Sequence, residues 1–198
     1  MKRLLAIIIL ILVLYAAYWF FFKKNSHISS PKPVAIKVQK HSDEFNNRIT
    51  TAVNSYLDMK NAFVGSDTVK IKSSSQTFIT SVDSMNLSEL KKDDSTILIA
   101  ALQEVSDIKA NAEAISMENS LVEMQQDFRM VSENLYPFLK TIGYEGPRLF
   151  WLSCPSAFGE NREGNWINNT KQISNPYQGK GKSASAGSNC GEVRDSID

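Results

Sequence analysis

Between Ser42 and Ile142, apolar residues recur every three or four positions in four successive stretches. That period admits little besides a set of amphipathic helices packed on one another. The first stretch opens at Ser42-Asp43-Glu44, a good helix N-terminus, and aligns Phe45, Ile49, Val53, Tyr56, Leu57 and Phe63 on one face. Gly65-Ser66-Asp67 breaks it. A second, weakened by its Ser and Thr content, runs from Thr68 to Asp83 with Val69, Phe78, Ile79 and Val82 inward. Asp93-Asp94-Ser95 caps a third, which turns Ile97, Leu98, Ala101, Leu102, Val105, Ile108, Ala112 and Ile115 toward the core. Ser116 is read as the N-cap of the fourth, which carries Leu121, Met124, Phe128, Val131, Leu135, Phe138, Leu139 and Ile142 and stops at Gly143. Pro137 falls inside that last stretch and predicts a kink or an early end, because it removes a backbone donor and clashes with the preceding turn. Short connections favour antiparallel neighbours, so residues 42–143 read as a mostly α, up-down four-helix bundle.

Upstream, Lys2-Arg3 precedes the uncharged run Leu4 to Phe22, which ends at Lys23-Lys24. As a helix, this run matches the thickness of a bilayer core, and Tyr15, Tyr18 and Trp19 cluster where an interfacial aromatic belt would sit. The run closes on Trp19-Phe20-Phe21-Phe22, where a signal peptidase requires small residues, so residues 1–22 are read as an uncleaved transmembrane signal anchor. Residues 23–41 hold five lysines and no acid, with Pro31 and Pro33, and form a basic, extended tether. His27 and His41, the only histidines, lie in or beside it and are expected to be solvated. A basic pair ahead of a first apolar segment, together with two cysteines in the body, places the body outside the cytoplasm, on a single-pass protein of the cytoplasmic membrane.

Charge excludes one class of function. The chain carries 22 Lys and Arg against 21 Asp and Glu, and residues 42–143 hold nine basic against fifteen acidic side chains, which argues against a nucleic-acid partner. There is no nucleophile elbow, Gly-rich phosphate loop, HExxH pair or CxxC, so no catalytic residue and no small-molecule substrate are assigned. Met59, Met85, Met117, Met124 and Met130 follow no fixed spacing and read as core filler rather than as a copper site.

Residues 144–198 are rich in Gly, Asn and Ser and are expected to be irregular, apart from a short buried extended run at Leu149-Phe150-Trp151-Leu152. Such a segment needs a staple. Cys154 and Cys190, the only cysteines, offer one as a disulfide; they could instead hold a metal jointly, or pack as free thiols. Closing a loop of that length is worth roughly 3–4 kcal/mol in the chain-entropy model. Trp166 and Tyr177 read as packing and turn residues, and Asn175 before Pro176 as a turn initiator.

Cys154, Pro155, Ala157, Trp166, Asn175, Pro176, Tyr177, Gly179, Cys190 and Gly191 resemble the C-terminal motifs of a bacterial family of exported domains of unknown function, the DUF3347 type. That family also occurs as the C-terminal extension of heavy-metal efflux adaptors of the CusB kind. The resemblance covers about residues 42–193, specifically in the C-terminal motifs and loosely across the helices. It implies a helical domain in the periplasm, a link to copper handling, and a metal-efflux or other envelope protein as partner. The chain departs from the family at Ser153 and Ser156, where histidine and methionine are usual, and at Gly187-Ser188-Asn189, where a methionine precedes the last cysteine. The soft ligands that suit copper are thus missing. The reading is a non-enzymatic domain without a cofactor, Cys154 and Cys190 being paired structurally; the alternative is an accessory holding Cu(I) or another soft ion through the two thiols.

Overall fold

A computed structural model describes Tyr15, residues 39–178 and residues 190–198. Lys37–Asp198 is one compact unit. The expected anchor at residues 4–22 lies outside the described residues apart from Tyr15, which is helical and exposed; the tether lies outside them as far as residue 38. Among the described residues no helix is long and apolar enough to cross a membrane.

Four α-helices form where the apolar period predicts them: α1 (Asp43–Val64), α2 (Thr68–Asp83), α3 (Ser95–Met117) and α4 (Leu121–Thr141). A 3-10 helix, Leu87–Lys92, was not foreseen and buries Leu87 and Leu90 between α2 and α3. Local chemistry starts three of the α-helices. Ser42 Oγ accepts from the Phe45 N–H at 3.2 Å, Asp67 from Lys70 at 3.0 Å and Asp94 from Thr96 at 2.9 Å. The Ser42 hydroxyl also donates to Glu89, tying the 3-10 helix to the start of α1.

Long-range pairs show the helices running in alternate directions. Asn46 meets Glu145 at one end of the α1–α4 pair, and Tyr56 meets Ser132 at its middle. Ser75 Oγ donates to the Ala112 carbonyl at 2.6 Å between α2 and α3, and Thr141 reaches back to Glu104 between α4 and α3. Phe63, Phe78, Phe128, Ile49 and Ile108 fill the centre without exposure.

Several expectations change at this point. Val69 and Leu102 are 79% and 53% exposed, because each falls on the rim of its apolar stripe rather than at its centre. Helix α3 continues through Ser116 to Met117, so the residue before α4 is Ser120 and not Ser116. Pro137 does not end α4. It sits on the exposed side, while Phe138 and Leu139 and the capping Ile142 are fully buried just beyond it. Burying three such side chains gains about 1.5–3 kcal/mol each, which outweighs the ~3 kcal/mol cost of a mid-helix proline. Gly143, at φ 62°, supplies the left-handed residue that stops the helix. His41 is not solvated either. Its ring is buried against Phe45, with centroids 4.4 Å apart, and its Nε2 lies 2.9 Å from the Ile142 carbonyl, joining the start of α1 to the end of α4.

The largest correction concerns residues 144–198, which are not simply irregular. They form a three-stranded antiparallel sheet of β1 (Leu149–Cys154), β2 (Gly164–Asn168) and β3 (Glu192–Ile197), in the order β2-β1-β3. The apolar Leu149–Leu152 run is its central strand. Leu152 lies opposite Trp166 on one side and Val193 on the other.

Candidate functional site

Helices α1 and α4 meet through large side chains. Tyr56 stacks on Phe128 at 5.3 Å between centroids, and Phe63 lies 4.6 Å from the same ring. The seam so formed is covered by β2. The Ile167 N–H donates to the Tyr56 hydroxyl at 3.0 Å, and Tyr56 and Ser132 Oγ are 2.7 Å apart. Ser132 in turn donates to the Phe128 carbonyl at 2.9 Å. A carbonyl can only accept, so the proton order is fixed: Ile167 to Tyr56 to Ser132 to Phe128. Burial pushes the Tyr56 phenol far above its ordinary range, which keeps its proton available for this relay. A sheet edge with an unpaired donor is thereby closed by a single hydroxyl.

Two further polar joints flank the relay. Lys60, only 4% exposed, donates from Nζ to Asn168 Oδ1 at 3.0 Å, and Asn168 Nδ2 reaches the Gln172 carbonyl at 2.9 Å. Burial lowers the lysine pKa below its ordinary value. On α4, Gln125 Nε2 donates to the Pro176 carbonyl at 2.9 Å. Tyr136 stacks on Trp151 of the central strand at 4.7 Å.

The residues singled out in the sequence converge on this sheet and the segment that follows β2. Cys154 at the end of β1 and Cys190 just ahead of β3 are disulfide-bonded, with Cα atoms 5.3 Å apart across a separation of 36 residues. Cys154 is buried and Cys190 partly so. The free-thiol alternative is therefore set aside. The Ala157 N–H closes the Cys-Pro turn on the Cys154 carbonyl, so Pro155 and Ala157 serve the turn itself. Asn175, Pro176 and Tyr177 bind in three directions. Asn175 Oδ1 accepts from the Tyr177 N–H at 2.8 Å, an Asx turn, and its Nδ2 donates to the Cys190 carbonyl at 2.8 Å. The Tyr177 hydroxyl donates to the Asn165 carbonyl of β2. Trp166 is fully buried beside Tyr177 and under Gly191, where a Cβ would stand 2.7 Å from Ile173 and 2.9 Å from the indole. The Trp166 Nε1–H has no hydrogen-bond partner among the described residues. Gly179 lies outside the described residues.

Chemically this arrangement is a brace. Both sulfurs are committed to each other, and among the described residues no three His, Cys, Asp or Glu side chains gather as metal ligands would. A dithiolate site would first require two-electron reduction of the bond.

Residues 52–145 match the family model described as "Protein of unknown function (DUF3347)". Over those residues, just under half of the chain, the protein is similar to that family. The DUF3347 match spans most of α1, all of α2 to α4 and the turn after Gly143, and it stops short of β1. The resemblance read from the sequence leaned on the Cys-Pro, Asn-Pro-Tyr and Cys-Gly motifs, all of which lie beyond the matched DUF3347 stretch; the helices, read as the vaguer part, carry the match. No curated protein and no solved structure matches the chain.

Lys60, Gln125 and Ser132 were not singled out in the sequence, and Tyr56 was read only as part of the apolar face of the first helix. For Lys60 a signal existed: it stands four residues after Tyr56 and three before Phe63, on the apolar stripe of α1, where a charge is out of place.

Proposed function

We propose that this chain is a non-enzymatic extracytoplasmic domain, carried on a bacterial cytoplasmic membrane by residues 4–22. In this reading the disulfide-braced sheet is a rigid platform for an envelope partner. The single observation that carries it is the Cys154–Cys190 bond, since disulfides persist in oxidising compartments and are rare in the cytoplasm. The bond holds together a segment that otherwise joins β2 to β3 through a long Gly- and Ser-rich connection. The tie to heavy-metal efflux rests on the resemblance of the C-terminal motifs alone. The anchor rests on the hydropathy of residues 4–22.

The test is intact mass of the full chain recovered from membranes, alkylated before and after reduction, followed by Cu(I) titration of both forms. The expected result is two alkylated thiols only after reduction and no stoichiometric copper uptake by the oxidised chain. Free thiols in the membrane-derived chain would overturn the structural role of the pair. Tight copper binding by the reduced chain, lost in Cys154→Ser, would replace this reading with the soft-metal accessory.

A further inference from the structure

Beside the Cys-Pro turn, α4 and the β1–β2 connection enclose an open cavity of about 360 Å³ lined by Gln126, Arg129, Phe158, Asn161, Arg162 and Glu163. Its walls are built rather than incidental. Gln126 and Arg129 are three apart and share one face of α4. The opposite wall reverses direction at Gly159 and Asn161, both with positive φ (113° and 58°), which brings Arg162 back across Gly159. Backbone bonds from Gly159 to Ser156, from Phe158 to Arg162 and from Arg162 to Gly159 hold that turn. Phe158 packs on Tyr177 at 5.0 Å and Ala157 is tied to Cys154, so the wall is fastened to the disulfide-braced layer.

The charges at the cavity are unevenly engaged. Glu163, the one carboxylate in the lining, accepts from Ser153 through one oxygen, and Glu133, one turn after Arg129 on α4, accepts from Asn165 and from Arg129 itself. Each guanidinium presents five N–H donors. Arg129 uses donors on Glu133 and on the Met130 sulfur, and Arg162 uses one on the Phe158 carbonyl, which leaves the larger part of both forks without a protein partner among the described residues. Two such forks on facing walls, with the amides of Gln126 and Asn161 beside them and an aromatic floor, match a compact oxyanion.

We propose that this cavity binds a small anionic ligand bearing a carboxylate or phosphate, held between Arg129 and Arg162. The volume suits a small molecule or one terminal group, not a folded partner. This inference rests on the cavity alone and is independent of the compartment and of the process the domain serves.

The experiment is calorimetric titration of the full chain in detergent with glutarate and, separately, inorganic phosphate, ionic strength being matched with sodium chloride. Saturable one-site binding of at least one probe is expected, and the tighter of the two identifies the ligand as carboxylate or phosphate. Arg162→Gln and Arg129→Gln should each weaken it roughly tenfold, the loss of one charge-assisted fork. Arg162→Lys, which keeps the charge and the fold but not the fork, should weaken glutarate more than phosphate. Arg194→Gln, on β3, should change nothing. Absence of saturable binding at matched ionic strength overturns the proposal, as does binding that the Arg129 and Arg162 variants leave intact or that Arg194→Gln weakens equally. None of these failures touches the disulfide or its compartment, which the mass and alkylation measurement reads.

Discussion

Removing one oxygen atom, in Tyr56→Phe, tests how the sheet is coupled to the helices. The ring stays in place: Tyr56 is fully buried, stacked on Phe128 and edge-on to Phe78 at 6.1 Å, and phenylalanine fills the same volume. What disappears is the bond to Ser132 and the acceptor for the Ile167 N–H. Ser132 keeps the Phe128 carbonyl, so its loss is that of an ordinary hydrogen bond, about 1 kcal/mol. Ile167 fares worse, because it is fully buried and its edge donor is left without a partner, at about 1–3 kcal/mol. Together the substitution should cost roughly 2–4 kcal/mol. For a unit of this size each kcal/mol lowers Tm by about 2–4 °C, so a fall of about 4–16 °C is expected. Urea unfolding followed by circular dichroism measures the free energy, and amide hydrogen exchange reads Ile167 directly, which should lose protection before the helices do. A cost below about 0.5 kcal/mol with Ile167 still protected would refute the claim that this hydroxyl joins the two layers.

Three further outcomes follow from the same geometry. Lys60 is held below its ordinary pKa of 10.5 by burial, so the unfolded chain binds that proton more tightly and stability should climb as pH rises through the folded value toward 10.5; Lys60→Met should flatten the slope. The buried tyrosines act oppositely above pH 10.0, so the comparison is read as the difference between the two chains at each pH. Replacing Cys154 and Cys190 by serine should cost roughly 3–4 kcal/mol, with exchange protection lost first in β3, and unchanged β3 protection would contradict the brace. Gly164→Ala places a Cβ 2.6 Å from Ala157 and 2.7 Å from Tyr177, and should destabilise by about 1–3 kcal/mol in thermal unfolding, whereas a neutral result would show that the turn can move aside.

These effects depend on parts of the molecule that were unequally visible beforehand. Helix starts at Ser42, Asp67 and Asp94 are chemistry confined to one turn, in which a side-chain oxygen meets an N–H two or three residues ahead. Where the fourth helix begins was misjudged, since Ser116 and Ser120 look alike as caps and the choice depends on how far α3 can continue while burying Ile115. The sheet was missed for a different reason. Averaged over its connections, residues 144–198 are polar and Gly-rich, and that average conceals Trp166 and Ile167, two fully buried side chains in a five-residue strand.

The sequence by itself determined the four apolar stripes, the N-caps of the first three and the presence of two cysteines, because each is expressed within a few residues or by simple count. Only the tertiary structure decided that Cys154 and Cys190 pair, that His41 joins the start of α1 to the end of α4, that Lys60 is buried, and that Tyr56 closes the edge of β2. The last three contacts span 101, 108 and 111 residues, and no local period encodes which distant strand will cover a seam. That choice arises when aromatic side chains hold α1 and α4 apart and a three-stranded sheet supplies the apolar surface and the hydrogen-bond donor to cover the seam between them.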